Sequence, residues 1–465
     1  MPATLFDKLW NLHEAADLGG GHSLIHIDRV FLHERMGSIA LRGLEQAGRD
    51  VRAPRRVFCV IDHIVDTRPG RGDISLVPNG REFIEATRHS AKKAGIHLFD
   101  IDDARQGIAH VVAAENGIVL PGMSAVCPDS HTCTLGALGA LAWGIGSTEA
   151  EHALATSTLR VRKPRAMRVN FLGATAPGVT AKDMILHLIA EYGSRAGRGF
   201  AVEFAGPAIS ALGMDGRFTI CNMAVEMGAF TGMIAPDGRT LAYIRGAPFA
   251  PGGALAERAE AHWRELRSDA GAEFDRELEI DCARIAPSVT WGTNPEQLVG
   301  IDGVVPEPAA FNDPQQSLAA RQALAYMGLE PGTSMRSVRI DAAFIGSCTN
   351  NRLEDLREAA KHLRGKKIAS WVRALCVPGS SAIKRRAEAE GLDEIFRAAG
   401  FEWREAGCSL CFHAGGESFG GQRVISSTNR NFQGRQGPGA RTHLASPVTV
   451  AASACRGYIS AAEAS

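Results

Sequence analysis

VRIDAAFIGSCTNNRLEDLREAAKHLRGKK, residues 338–367, changes its period in the middle, and that change decides the fold class. VRIDAAFIG is short, apolar and rich in strand formers, so it predicts a strand over 338–346. GSCTNN predicts a turn, and Leu353, Leu356, Ala360 and Leu363 then lay an apolar stripe along a helix over 353–367. The pattern recurs on either side. RVNFLG (168–173) reads as a strand, and the helix DMILHLIAEY (183–192) follows, opened by a cap-like Thr180–Asp183 and closed by Gly193. ALCVPG (374–379) leads into the helical stretch AIKRRAEAEGLDEIFRAAGF (382–401), and VTVAAS (448–453) reads as a last strand before a short alanine-rich tail. Strands alternating with helices predict α/β domains with mostly parallel sheets, whose ligand sites lie at the carboxyl ends of the strands.

At about 150 residues per domain, a chain of 465 residues suggests three α/β domains. The polar stretch RVRKPRAMR (160–168) and the four prolines between 285 and 311 place them at 1–165, 166–288 and 289–465. Lys+Arg and Asp+Glu both number 51, so no global basic field points to nucleic acid. The opening MPATLFDKLWNLHEAAD lacks the apolar core of a signal peptide. The charge-free run Ser130–Thr148 carries four glycines and a histidine, a poor membrane span and a good buried loop and helix. These features predict a cytoplasmic chain without membrane partners.

Ten cysteines in a reducing compartment are buried hydrophobes, metal ligands or nucleophiles. Cys59, Cys282 and Cys376 sit among apolar neighbours, as core residues do. Cys348 differs: it falls between a strand and a helix, where unpaired backbone N–H groups favour negative charge. Cys408 and Cys411 form a C-x-x-C, which alone is a redox pair, half a zinc site or chance, and no second C-x-x-C completes a four-cysteine zinc site. Three thiolates without a fourth would leave one iron of an iron–sulfur cube open as a Lewis acid. Asp62–His63, His110, Asp129–Ser130–His131 and the pair Asn222/Glu226, four apart on one helical face, are candidate general acids or their oriented partners. Taken one at a time, such a residue is more often a surface or hydrogen-bonded core residue. Arg430 and Arg435, in SSTNRNFQGRQG (426–437), suit the carboxylates of a di- or tricarboxylate substrate.

Five motifs in order, DSHT (129–132), CNM..E (221–226), GSCTN (346–350), GCSLC (407–411) and NRNF.GR (429–435), resemble the aconitase superfamily across nearly the whole chain. GIVLPGM (117–123), VTWGTNPEQ (289–297), ALAYMGLEPG (323–332) and GRQGPGARTHLASP (434–447) resemble its branch of isopropylmalate isomerase (dehydratase) large subunits. The resemblance implies three α/β domains around a [4Fe-4S] cluster held by Cys348, Cys408 and Cys411. It implies Asp62 with His63 as the acid pair assisting hydroxyl loss, and His110 with Asp129 and His131 with Glu226 beside the reacting hydroxyl and water. Ser130, Asn222, Arg430 and Arg435 are implied near substrate and cluster. The reaction implied is dehydration and rehydration interconverting 2- and 3-isopropylmalate, in leucine biosynthesis. The carbon-bound proton goes to a serine on a fourth, mobile domain, expected here as a separate small subunit because no further stretch remains to build it. Four places depart from the pattern: Ile39 in HERMGSIALRG where glutamine is usual, Pro128 for glycine, Asn351 for serine, and FHAGGESFGG (412–421). They leave homoaconitate, citraconate/2-methylmalate or dimethylmalate hydration as alternatives. An idle RNA-binding relative sits badly with zero net charge and an intact histidine set, and a plain redox C-x-x-C protein explains neither Cys348 nor the arginines.

Overall fold

A computed structural model describes residues 2–413 and 417–462. Its frame is three parallel sheets. The first runs, edge to edge, His97–Phe99, Val57–Val60, Arg29–His33, Ser124–Cys127 and Leu141–Gly144. The third repeats this order with Phe401–Trp403, Arg373–Cys376, Ala342–Ile345, Arg423–Ser426 and Arg441–Leu444. In both, the chain winds outward from a central strand to one side and then returns to the other. That reversal opens a crevice at the carboxyl ends of the central strands, where ligands bind in doubly wound sheets. The second sheet, of four strands, is built around Arg165–Leu172 and Phe200–Ala205.

Apolar side chains of the first two sheets merge into one core, which Leu444 joins, while the third sheet has its own, joined by Ile108 and Val111. The carboxyl-end loops of the first and third sheets meet directly. The Cys408 N–H donates to Asp62 O at 2.8 Å, the Ile108 N–H to Gly379 O at 2.9 Å, and Thr67 Oγ1 to Ser409 Oγ at 2.9 Å.

Local chemistry explains most element boundaries. Thr180 caps helix Ala181–Tyr192, with Asp183 Oδ2 accepting its backbone N–H at 2.9 Å, and Gly193 ends it. The helix expected over 353–367 stops at Leu363, two residues before Gly365 at φ +74°. The stretch 382–401 divides into Ser381–Ala389 and Leu392–Ala399 at Gly391 (φ +70°). VTVAAS is not a strand: it lies inside helix Pro447–Arg456, because Ser446 Oγ accepts from the Thr449 N–H and Pro447 presets the first turn. This helix packs against helix Leu353–Leu363 with Thr449 and Val450 buried, and tertiary burial overrides their strand preference. Ser130–Thr148 is a buried 3₁₀ stretch, Ser130–Leu138, then strand Leu141–Gly144 and the start of helix Ser147–Thr156. Among the described residues no helix is long and apolar enough to cross a membrane.

One buried histidine ties the third sheet to hairpin Ser288–Thr290/Leu298–Gly300. His443 Nδ1 donates to Thr290 O at 2.6 Å and Nε2 accepts from Arg423 Nη1 at 3.1 Å, while burial and the guanidinium push its pKa down to about 3. The unfolded chain takes a proton there near its ordinary value of 6.5, so stability is fully present above that pH and is lost as pH falls toward 3. His443→Gln is therefore expected to shrink the difference in urea midpoint between pH 8 and pH 5, and an undiminished difference counts against this residue as a source of acid sensitivity.

Candidate active site

His63 is the hub. It lies three residues past strand Val57–Val60, fully buried, with Nδ1 2.5 Å from Asp62 Oδ1 and Nε2 3.1 Å from Asp129 Oδ2. Burial alone would lower its pKa, but Asp62, the Cys408 sulfur and Asp129 outweigh that and raise it well above the usual histidine range. The opposite balance acts on Asp129: burial would raise its carboxyl, yet His110, His131 and His63 together hold it well below the ordinary value. The result is a protonated imidazole clamped between two carboxylates.

Asp129 follows strand Ser124–Cys127 and gathers the other histidines. Its Oδ1 accepts the His131 N–H at 2.7 Å, capping the 3₁₀ turn, and lies 3.2 Å from His110 Nε2. That contact is off hydrogen-bond alignment, so the buried His110 nitrogen is left without a partner. His131 Nε2 reaches Glu226 Oε1 at 2.8 Å, and the same oxygen accepts Arg430 Nε at 2.7 Å. Asn222 ends helix Met214–Asn222 and Glu226 falls in the 3₁₀ turn after it, so the two do not share one regular helix. Ser130 is exposed at the mouth, its Oγ 3.2 Å from His131 Nδ1.

The three sequence-selected cysteines converge on this network from the third sheet. Cys348 follows the central strand Ala342–Ile345, while Cys408 and Cys411 flank a short 3₁₀ turn. Ser347 (φ +81°) and Ser409 (φ +47°) adopt left-handed backbone beside them, a strained conformation that surrounding packing must enforce. All three thiols are buried and unlinked. Cys348 and Cys411 have donors as neighbours. Asn222 Nδ2 points at Cys348 Sγ from 3.1 Å and Asn429 Nδ2 from 3.5 Å; Ser347 Oγ lies 3.1 Å and Arg435 Nη2 3.6 Å from Cys411 Sγ. Cys408 Sγ lies 3.9 Å from Asp62 Oδ2. Burial and the neighbouring Cys411 and Asp129 push the Cys348 thiol up to about 12. A strongly cationic group is what would draw such thiols into the thiolate state. Among the described residues, the only set of three or more donors gathered within 4.8 Å is His33, Glu34, Asp62 and His63, so the three sulfurs are spread too widely for one ion. Three buried sulfurs not gathered within 4.8 Å of one another, with N–H and O–H donors aimed at Cys348 and Cys411, fit a multi-iron cluster.

Arg435 is stacked between Phe412 and Phe432, 5.1 and 5.3 Å from the ring centroids, and faces Cys411. Arg430, 28% exposed, keeps its terminal nitrogens free of hydrogen bonds among the described residues and can meet a carboxylate. Of the unusual positions, Ile39 is half exposed on helix Glu34–Gln46, Pro128 O lies 3.1 Å from His33 Nε2, and the buried Asn351 amide has no hydrogen-bond partner. Of 412–421, residues 414–416 lie outside the described residues.

Sequence reasoning missed His33, Glu34, Lys182 and Asn429. Lys182, fully buried, donates to Ser427 O and Thr428 O at 2.9 and 2.5 Å, supporting the turn before Asn429 and Arg430, and burial pushes its pKa down to about 7. Nothing in TAKD beyond its cap pattern signals this contact, which crosses between two sheets.

Set against known proteins, residues 7–457 match the Aconitase family (aconitate hydratase). The chain is 52% identical over 457 residues to "3-isopropylmalate dehydratase large subunit 1" of Bradyrhizobium diazoefficiens, covering 98% of this chain and 95% of that protein.

Proposed function

The chain belongs to the aconitase family, and on that footing we propose that it is the large, catalytic subunit of a 3-isopropylmalate dehydratase, a hydro-lyase that removes and re-adds water to interconvert 2- and 3-isopropylmalate. One observation carries this: the cysteine loops of the third sheet close onto the acid network of the first, with Cys408 Sγ 3.9 Å from Asp62 Oδ2. Cys348, Cys408 and Cys411 would hold a [4Fe-4S] cluster. Bound there, the cluster supplies Lewis-acid chemistry to a substrate oxygen.

The rest falls to side chains. Arg430, anchored through Nε to Glu226, presents its remaining donors to a substrate carboxylate. His63, held protonated between Asp62 and Asp129, gives its proton to the departing hydroxyl, and the two carboxylates keep the ring aimed. His110 and the His131–Glu226 pair orient the released and returning water, and Ser130 and Asn222 line the site. The proton on carbon is taken by a serine of a separate small subunit. A division near 1–165, 166–288 and 289–465 is supported by three parallel sheets, the first and third within their spans and the second beginning at Arg165, one residue before its span. A cytoplasmic location suits a biosynthetic enzyme of this kind.

Anaerobically reconstituted chain, with and without a co-expressed small subunit, tests the proposal against isopropylmalate, homoaconitate, 2-methylmalate and dimethylmalate. Isopropylmalate is expected to be the best substrate, and turnover of the chain alone is expected to be negligible and to rise at least about 100-fold with the partner, since a general base contributes 10²–10⁴. Preference for another diacid moves the chain to a related hydratase, and full activity alone removes the two-subunit part.

A further inference from the structure

We propose that Glu34, with His33, is a positioning residue for the His63 acid: the dipeptide at the carboxyl end of the first sheet's central strand sets the aim of the imidazole between Asp62 and Asp129. This rests on the hydro-lyase proposal above, and extends it to two residues whose contacts are to the Asp62–Ile64 backbone, Pro128 and the His63 ring.

Glu34 opens helix Glu34–Gln46 and is fully buried. Its carboxylate accepts three consecutive backbone N–H groups: Asp62 on Oε2 at 3.1 Å, and His63 and Ile64 on Oε1 at 2.7 Å each. Burial and the neighbouring Asp62 push its pKa up to about 7, and in the ionised form these three consecutive charge-assisted bonds hold the 62–64 backbone in place. No Lys or Arg pairs with Glu34 among the described residues, and its nearest charged neighbour of like sign is Asp62. A buried carboxylate with no Lys or Arg partner, and only the neighbouring His63 ring to oppose its charge, is an expensive way to stabilise a fold. What it secures here is geometry, because the turn it clamps carries both members of the acid pair.

His33 completes the clamp from the other side. Its ring stacks on that of His63, centroids 3.8 Å apart and planes 17° from parallel. Its Nε2 lies 3.1 Å from Pro128 O, a carbonyl that can only accept, so Nε2 carries the hydrogen and Nδ1, which has no partner, is bare. The ring is therefore neutral and lies flat against a protonated one. Through Pro128 it also ties down the loop that places Asp129. One dipeptide thus fixes the two turns that supply both of His63's carboxylate partners.

Glu34→Gln tests this in the cluster-replete two-subunit holoenzyme. The amide keeps the shape but sets an NH₂ group against a backbone N–H. A misplacement of ~1 Å can cost ~10²-fold, so kcat is expected to fall about 30-fold, with KM within about threefold and cluster absorbance and Tm retained. In the variant's crystal structure, His63 Nε2 is expected to lie beyond hydrogen-bond reach of Asp129. Unchanged kcat with an unchanged 3.1 Å contact overturns the proposal, as does a loss that merely tracks lost cluster or lost fold. If Glu34→Gln does not accumulate, His33→Phe and His33→Leu decide: the flat ring is expected to retain at least about fivefold more kcat than the leucine, and equal values overturn the role. Wild-type holoenzyme without hydroxydicarboxylate turnover counts against the hydro-lyase proposal instead, and the crystallographic contact still decides the role of Glu34.

Discussion

Cys348→Ser, Cys408→Ser and Cys411→Ser are each expected to abolish the brown absorbance of anaerobically prepared protein and its turnover together. A hydroxyl is a hard, weakly acidic donor, and in a buried site it supplies no thiolate to hold iron. Two loops bring the three sulfurs toward one site: Cys348 from the end of the central strand, and Cys408 with Cys411 from the strained turn through Ser409. With three ligands none is spare. Half-buried Cys455, well apart in sequence on the final helix, is the control, and Cys455→Ser is expected to keep full absorbance and activity. Iron and sulfide analysis beside the visible spectrum reads the outcome. A Cys408→Ser protein with a full-occupancy cluster signal would falsify the ligand assignment.

His63→Ala is expected to lower kcat by at least about 100-fold while the cluster stays in place, since a positioned general acid contributes 10²–10⁴. The variant loses the proton donor and leaves two carboxylates facing an empty space. Asp62 is fully buried and would then have only the Ala109 N–H, at 3.0 Å, and nearby sulfur as company. Asp129 still has His131 and His110 to hold its charge, so the collapse should be local. Steady-state turnover per cluster separates this from loss of cofactor. Wild-type turnover per cluster in His63→Ala would take the residue out of the mechanism.

Period and motif made much of this protein legible before any coordinates. The switch from alternating to helical spacing at 338–367 marks a strand, a turn and a helix, and the turn carries Cys348. Thr180 and Gly193 bound their helix as their chemistry requires. VTVAAS shows where such logic fails. Two valines and a threonine favour extended backbone weakly, and a Ser–Pro cap with burial against helix Leu353–Leu363 outweighs them. Glu34 shows a second failure. A glutamate at the start of a helix normally faces solvent near the dipole, and no local pattern announces that three N–H groups from another loop converge on it.

By itself the sequence determined the α/β class, the strand–turn–helix unit that carries Cys348 and a set of candidate site residues, because these depend on contacts within a few residues or on motifs read along the chain. Only the tertiary structure decided that the first and third sheets share one strand order and meet at their carboxyl-end loops. It alone decided that Asp62 sits beside Cys408, 346 residues away, and that Lys182 props the turn before Arg430. The reason is physical. Side-chain period reports which face is buried, whereas the partner found on that face is chosen by sheet topology and by the need of every buried polar group to find a hydrogen bond.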